Sequence, residues 1–425
     1  MTQLPADKAS ASETIKPPIL FISPEFPWPP LSGGRLRTLS LLRCLGARFR
    51  VHCVTFAEQQ PRQEDQTSLR SYVAELTILR LQIHRRTTLD RYVRNVRRAL
   101  RFVPPLVDRF AEPEHRQAMV ELLKKAEWVW LEHLWLAPYA TLCPAATKIL
   151  DVHNVESAFY RQMRKISRRP LDRLGYYVFE RAAQTIERRF LPCFDRVLAV
   201  SEEDRRVLSQ YCSAEKILVI PNAVKLNPIS VSANTEPHSL YFAGRLDYPP
   251  NRDAILWFYR QVWPLLRSRM PDLRCYVVGG GPERVAKELR GDGHFQLLGE
   301  VEKADAYLGP SSVAIVPVRT GGGTRFKILE AWAAGKAVVS TTKGAEGLAA
   351  RHGENIWIAD TAPEFADAIV RLLSDAALRT SLGKRGWKTV EERYSLERLQ
   401  ENLTAALPDH QALHHKAKEA EPGCV

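Results

Sequence analysis

Short apolar runs recur along the chain, each bounded by turn residues and followed by a stretch with helical spacing. In the first half these runs are Ile19–Ser23, Val51–Phe56, Leu76–Leu81, Trp128–Leu131, Lys148–Val152, Val197–Val200 and Ile217–Ile220. In the second half they are Leu240–Ala243, Cys275–Val278, Phe295–Leu298, Val313–Val318, Ala337–Ser340 and Ile356–Ile358. Runs this short with β-branched content predict buried strands, and intervening patterns such as Arg173–Phe190 predict helices. A repeated strand–helix rhythm predicts a parallel sheet with helices on both faces. The rhythm occurs twice, on either side of a segment rich in Ser, Asn and Pro, so two domains are expected. Residues 1–17 read as a polar tail, 18–226 as the first domain and 227–237 as a linker. Residues 238–394 read as the second domain, 395–408 as a helix placed to cross back to the first, and 409–425 as a second tail.

Two of the strand–helix junctions carry glycine loops. The first is Gly33-Gly34-Arg35, opening a helix marked by Leu36, Leu39 and Leu42, with Arg35 and Arg37 in its first turn. The second is Gly321-Gly322-Gly323-Thr324-Arg325-Phe326-Lys327, opening a helix whose stripe is Ile328, Leu329, Trp332 and Ala333, with Arg325 and Lys327 expected in the first turn. Cations oppose the helix dipole at that end. They fit there if an anion sits in front of the helix, held by backbone N–H groups and the two side chains. A merely tight turn is the alternative. Glu330 lies three residues past Lys327, either as a weak surface pair or as a carboxylate accepting from ligand hydroxyls.

Composition narrows the class. At 425 residues the chain exceeds one core. No apolar run is long enough to cross a bilayer, and the first residues lack an apolar signal core. Seven cysteines without a Cys-x-x-Cys pair fit free thiols in a reducing compartment. The expected location is the cytoplasm, and no metal cluster is evident. Up to Lys225 there are 36 Lys/Arg against 24 Asp/Glu, and beyond it 25 against 24, so the net +13 sits almost wholly in the first half. That half is placed to meet something acidic.

Residues 85–110 put Leu89, Tyr92, Val93, Val96, Leu100 and Val103 on one helical face, with Arg91, Arg94, Arg97, Arg98 and Arg101 largely opposite. This is either an ordinary helix packed on the sheet with its arginines in water, or a basic helix resting on anionic lipid. Arg161, Arg164, Lys165, Arg168 and Arg169 add a second basic patch.

These motifs in this order resemble the group 1 (family 4) glycosyltransferases. The second half agrees from Leu240-Tyr241-Phe242-Ala243-Gly244-Arg245-Leu246 through Val278-Gly279-Gly280-Gly281-Pro282 to Glu330-Ala331 and Ala345-Glu346-Gly347-Leu348. The first half agrees at Gly33-Gly34, at Asp151-Val152-His153-Asn154-Val155-Glu156, at Val200-Ser201-Glu202-Glu203-Asp204 and at Ile220-Pro221-Asn222-Ala223-Val224. The resemblance spans roughly Ile19 to Leu407. It implies an α/β chain of GT-B fold, two doubly wound Rossmann-like domains facing across a cleft. It also implies a retaining, metal-independent hexosyltransferase-type enzyme that uses a nucleotide-diphospho-sugar as substrate and needs no cofactor.

Carried over by position, Glu330 matches the glutamate that grips the donor ribose, and Arg245 the arginine that neutralises the diphosphate. Gly33 and Gly34 match the loop that approaches the phosphates or sugar, and His153 the histidine beside the transferred sugar. The resemblance breaks at two points. Gly322 stands where the family usually has a first glutamate, and the lysine expected soon after the Gly-Arg pair is missing before Arg252. A leaving diphosphate without a metal needs positive charge. Arg245 with Arg325 and Lys327 is therefore the expected clamp, and Gly322, Gly323 and Thr324 the surrounding donor loop.

The catalytic set expected is His153, Arg245 and Lys327, with no separate protein base, because the departing phosphate takes the acceptor proton. Glu132 and His133 are either acceptor-side residues or solvated strand-end residues, the latter being the commoner case. Asp151 and Asn154 are expected mainly to cap the next helix. Gly279–Pro282 is either a donor contact or a plain turn. The expected acceptor is a glycan or a lipid-linked glycan in surface polysaccharide or glycolipid synthesis, with peripheral contact to anionic membrane through 85–110 and no nucleic-acid partner. A nucleotide-sugar 2-epimerase, or a non-catalytic protein that binds anionic lipid or a partner, are the competing readings.

Overall fold

The computed structural model describes residues 16–82, 87–167, 169–226, 236–289, 293–301 and 305–407. Both predicted tails, apart from Lys16 and Pro17, lie outside them, as do residues 85 and 86, Arg168 and nearly all of the 227–237 linker.

Every predicted apolar run forms a strand. The first sheet holds β1 (Pro18–Ser23), β2 (Arg50–Ala57), β3 (Glu75–Arg80), β4 (Trp128–Glu132), β5 (Thr147–Val152), β6 (Arg196–Ala199) and β7 (Ile217–Val219). Its spatial order is β3-β2-β1-β4-β5-β6-β7, and all its pairings are parallel. The second holds β8 (Ser239–Ala243), β9 (Arg274–Val278), β10 (Phe295–Gly299), β11 (Val313–Val316), β12 (Ala337–Ser340) and β13 (Trp357–Ile358). Its order is β10-β9-β8-β11-β12-β13, again wholly parallel. Strands covered by helices on both faces are near-continuously apolar rather than alternating, as in Val313–Val316 and residues 337–339, and both strands are buried at every position, Ser340 included. The predicted strand to Val318 stops two residues short because Pro317 cannot continue the hydrogen-bond ladder.

Each sheet reverses direction between its first strand and the strand beside it, β1|β4 and β8|β11. Such a switch point leaves a crevice beyond the carboxyl ends of the strands, where ligands bind in open α/β sheets. Both glycine loops emerge there. The first leads into α1 (Gly33–Arg48), whose Ser32 caps it by accepting from the Arg35 N–H at 3.3 Å. Three further helices of the first domain matter: α2 (Thr88–Leu100), α3 (Glu156–Ile166) and α4 (Pro170–Phe190). In the second domain, α5 (Phe326–Ala333) follows the glycine loop and α6 (Ala376–Arg393) packs against it.

The chain then returns to the first domain. The Val224 N–H donates to Tyr394 at 2.8 Å, and Val224 bridges to Ser395, so the two inter-domain passages lie side by side. Beyond them α7 (Leu396–Ala406) buries Leu399, Leu403 and Ala406 among Leu42, Leu45 and Phe49 at the end of α1.

Of the two readings of residues 85–110, packing on the sheet is not the one the exposure fits. The apolar face of α2 does not pack on the sheet: Leu89 is 73% and Leu100 82% exposed, with Tyr92, Val93 and Val96 also exposed. Arg98 and Arg101 instead turn to Asp108, at 2.9 and 3.0 Å. Leu171, Leu174 and Tyr177 on α4 are exposed as well.

Candidate active site between the two switch points

The first-domain side is a buried ionic cluster. β4 and β5 are in register with Glu132 opposite Asp151, so two carboxylates end adjacent strands at the same level. Both are fully buried. The first turns of α1 lower Arg37 and Thr38 onto them. Arg37 donates from Nε and Nη2 to the two Asp151 oxygens at 2.8 and 2.6 Å, and Thr38 donates to Glu132 at 2.9 Å. His153, just past β5, brings Nε2 to 2.9 Å from Asp151 and 3.3 Å from Glu132. Burial opposes its charge, but the two carboxylates outweigh that and push its pKa up to about 9. Burial likewise works against the Asp151 charge, yet Arg37 and His153 hold it well below the usual carboxylate range. The cluster contains two anions and two cations and is balanced.

His153 is further held by ring contacts. Its ring lies 3.9 Å from that of His133, which stacks on Trp135 at 4.1 Å and 12°. Burial and the His153 charge push His133 well below its ordinary pKa, so it is the neutral member. His153 Nδ1 is buried without a hydrogen-bond partner, and a Cβ added at Gly34 would lie 3.9 Å from it.

Three expectations about this side are corrected. Glu132 is not a solvated strand-end residue but part of the buried cluster. Asp151 does not cap α3, because Arg37 and His153 occupy it, and the capping position falls on Val155, which has no side-chain acceptor. Asn154 turns away from α3 and points Oδ1 at the second glycine loop. Arg35 and Arg37 do not await an external anion, for Arg35 pairs with Glu25 at 3.0 Å and Arg37 with Asp151.

The second-domain side is built differently. Gly321 and Gly323 have φ of +108° and +69°, which side-chain-bearing residues rarely adopt. They let the loop curl around its own arginine. Arg325 is the residue before the first turn of α5, not within it. Its guanidinium donates to the carbonyls of Gly321 and Gly323 at 2.9 Å each, of Thr320 at 3.4 Å and of Gly322. The terminal nitrogens of Arg325, expected on the phosphate, are engaged in shaping the loop, while its Nε is buried without a partner.

Lys327 does face the switch point. Its Nζ donates to Asn251 Oδ1 at 2.8 Å and lies 4.3 Å from the Phe242 ring centroid. Burial, then the neighbouring Arg325 cation, push it down to about 7, with Glu330 opposing. Lys327 abuts Gly244, where an added Cβ would come within 2.8 Å of its Nζ. Arg245, next in the chain, is 46% exposed and pairs with Asp247 at 2.6 Å. The Gly279–Pro282 turn backs this loop, the Gly280 carbonyl accepting from the Leu246 N–H at 2.7 Å.

First-domain amides close over the second glycine loop. Gln162 accepts from the Gly321 N–H at 2.9 Å. Asn222 Nδ2 donates to the Thr324 hydroxyl at 2.6 Å. Asn154 Oδ1 lies against Gly322 and Gly323, and Phe326 covers Gly33. Glu330 points elsewhere, into a cleft of about 270 Å³ between α1 and α5 shared with Leu39, Ser40, Arg43 and Lys225. His153, Gly33, Gly34, Gly322, Gly323 and Thr324 thus meet at one junction. Lys327 and Arg245 flank it, and Glu330 opens onto the adjoining cleft. Sequence reasoning missed Gln162, the pairing of Arg37 with Asp151 and the role of Asn222. A lone amide on a helix carries no trace of a partner 159 residues away.

Among the described residues one grouping comes within metal-ligand reach, Glu132, Asp151 and His153. A cation there would have to displace the His153 proton and contend with Arg37, and the balanced charges give it no deficit to fill.

Two family models match the chain. The model for Glycosyltransferase Family 4 covers residues 31–227, and the model for group 1 glycosyl transferases covers 237–375. The chain is 24% identical over 397 residues to an uncharacterized 44.6 kDa protein of the cps region of Klebsiella pneumoniae, covering 90% of this chain and 97% of that one. It is 30% identical over 204 residues to the phosphatidyl-myo-inositol mannosyltransferase of Mycolicibacterium smegmatis, covering 45% of this chain and about half, 52%, of the relative. Among solved structures, the Anabaena protein HepE in complex with UDP and glucose superposes with a TM-score of 0.64 at 15% identity, covering 91% of this chain and 98% of that one.

Proposed function

We propose that this chain, a group 1 glycosyltransferase of the GT-B fold, takes its sugar from a nucleotide-diphospho-sugar and transfers it with retention, without a metal, to a hydroxyl of a glycan or lipid-linked acceptor. The observation that carries this reading is the imbalance at the second switch point. Lys327 and Arg325 are held by amide and carbonyl oxygens, and the attraction of Glu330 does not offset the burial and the Arg325 charge that lower the Lys327 pKa. A buried cation left short of negative charge is a site for an anion. HepE is solved with UDP and glucose, which supports a nucleotide donor here.

In this reading Arg245 and Lys327 hold the diphosphate and the Glu330 carboxylate accepts from the ribose hydroxyls. The bond from the anomeric carbon to the phosphate oxygen breaks, and its electron pair leaves with the diphosphate. The acceptor hydroxyl attacks from the same face and its proton passes to the departing phosphate oxygen, so no protein base is required. His153, cationic and fixed by Asp151, donates Nδ1–H to a hydroxyl of the transferred sugar. The exposed apolar faces of α2 and α4, fringed by arginines, suit peripheral contact with an anionic membrane, and the mycobacterial relative acts by its name on phosphatidyl-myo-inositol. Among the described residues no helix is long and apolar enough to cross a membrane.

The test is calorimetry with UDP, GDP and ADP on the wild type and on Glu330→Ala and Lys327→Met. One diphosphate should bind the wild type and lose affinity in both variants. Failure of all three to bind, with and without Mg²⁺, would remove the donor assignment. Substituting Leu89 and Leu100 by Ser should reduce sedimentation with phosphatidylglycerol vesicles. Unchanged sedimentation would remove the membrane contact.

A further inference from the structure

A buried chain of polar groups crosses from the catalytic histidine to the donor loop. His153 Nε2 is 2.9 Å from Asp151, and Arg37 grips both oxygens of Asp151. Arg37 Nη1 also donates to the Ile220 carbonyl and to Asn222 Oδ1, each at 3.0 Å. Asn222 Nδ2 then donates to Thr324 Oγ1 at 2.6 Å, across the domain boundary. Asn222, Thr324, Arg37, Asp151 and His153 are all more than nine-tenths buried.

The order of these atoms fixes a direction. A guanidinium has donors only, so the Asn222 oxygen must face Arg37 and its NH₂ must face Thr324. Thr324 Oγ1 therefore accepts from Asn222, which leaves its own hydroxyl proton to be given elsewhere. Among the described residues no protein acceptor takes that proton. Successive hydrogen bonds that begin at a cation polarise one another in the same sense.

We infer that Asn222 is a positioning residue for sugar transfer: anchored by Arg37, it orients the Thr324 hydroxyl as a donor to the diphosphate of the nucleotide sugar. This rests on the diphosphate occupying the second glycine loop, as proposed above. Because Asn222 and Thr324 belong to different domains, the donor is in place only when the cleft is closed. The same Arg37 that aims Asn222 holds Asp151 against His153, so sugar and diphosphate contacts are set by one buried side chain.

Asn222→Asp tests the direction. The new carboxylate keeps an acceptor for Arg37 but presents a second acceptor to Thr324, which then turns its proton toward residue 222 and away from the ligand. The probes are UDP, GDP and ADP with their monophosphates, titrated calorimetrically, with the thermal midpoint recorded for each protein. Asn222→Asp should weaken the diphosphate that binds the wild type by about 10- to 100-fold, the loss of a hydrogen bond to a charged group. The monophosphate should change much less, and the midpoint should stay near wild type. Thr324→Val, which adds no charge, should reproduce the diphosphate loss, and Thr324→Ser should restore binding. Wild-type diphosphate affinity in Thr324→Val overturns the inference. So does a loss shared equally by mono- and diphosphate together with a lowered midpoint. If Lys327→Met loses the diphosphate while Asn222→Asp keeps it, only this inference fails. If the wild type binds none of the three, the donor site and this inference fall together.

Discussion

The two strand–glycine–helix units look alike in sequence, each with a pair of cations where the following helix begins, and they are opposites in the fold. On α1 the cations are answered from within: Glu25 takes Arg35 and Asp151 takes Arg37. On α5 the partners are neutral, carbonyls for Arg325 and an amide for Lys327. One unit is complete as folded, and the other retains a surplus of positive charge. Cations near a glycine loop therefore suggest an anion, and on α1 that anion is a carboxylate of the same chain. The difference lies at the carboxyl ends of the neighbouring strands, where β4 and β5 carry Glu132 and Asp151 while β11 and β12 run out into Pro317 and Thr341.

The contrast is broken most forcefully at Arg37. Arg37→Met leaves Asp151 buried without its guanidinium, and removing one partner of a buried pair costs about 3–5 kcal/mol. Chemical denaturation should show a loss of that order, and a change below about 1 kcal/mol would mean the pair is not the keystone of the cluster. At Lys327 stability and activity should part. Lys327→Met should fold at least as stably as wild type, because it removes a cation disfavoured by burial. Turnover should fall about 10²- to 10³-fold, as on loss of one group that stabilises developing charge. Near-normal turnover would take Lys327 out of the diphosphate clamp.

A smaller effect is expected at the junction between the units. Gly323→Ala puts a Cβ 2.5 Å from Asn154 Oδ1 at a φ of +69°. The left-handed conformation alone costs about 1–2 kcal/mol, and the clash should hold the domains apart. X-ray scattering should report an enlarged radius of gyration, and an unchanged one would show that the loop yields instead.

The smallest and most diagnostic effect is in pH dependence, where the units should differ in sign. His153 is raised from 6.5 to about 9, so the stability it confers is complete below 6.5 and lost as pH rises through 9. Burial also raises Glu156 and Glu187 from 4.5 to about 7, so between those values the fold holds protons that the unfolded chain releases, and stability falls as pH rises. Lys327, lowered from 10.5 to about 7, runs the other way: the unfolded chain binds its proton more tightly, and stability rises with pH between those values. Raising pH from 7 to 9 should therefore destabilise wild type relative to His153→Gln and stabilise it relative to Lys327→Met. Parallel profiles in all three would refute both assignments.

Much of the scaffold was legible. Thirteen apolar runs gave thirteen strands, because strands buried on both faces of a parallel sheet must be apolar at consecutive positions. The two switch points could be anticipated from the glycine loops that leave them. Side-chain direction was harder. Spacing puts Arg325 beside the loop, but nothing local says that Gly321 and Gly323 turn their carbonyls inward to receive it. A strand-end glutamate is commonly solvated, and only the arrival of α1, nearly a hundred residues away in sequence, buries Glu132. The amphipathic pattern of α2 was legible but left its apolar side with two partners, sheet or lipid, since periodicity identifies a face and not what covers it.

The return of the chain through α7 bears on how the protein is made. The apolar groove at the end of α1, near the start of the polypeptide, is closed by Leu399 and Leu403. During synthesis the first domain emerges long before those residues and must wait, its groove uncovered, while the whole second domain is translated. The two domains are sequential in the gene only in part. The first one finished being written is the last one able to finish folding, and a ribosome that stalls inside the second domain leaves it open to whatever binds nascent apolar surface.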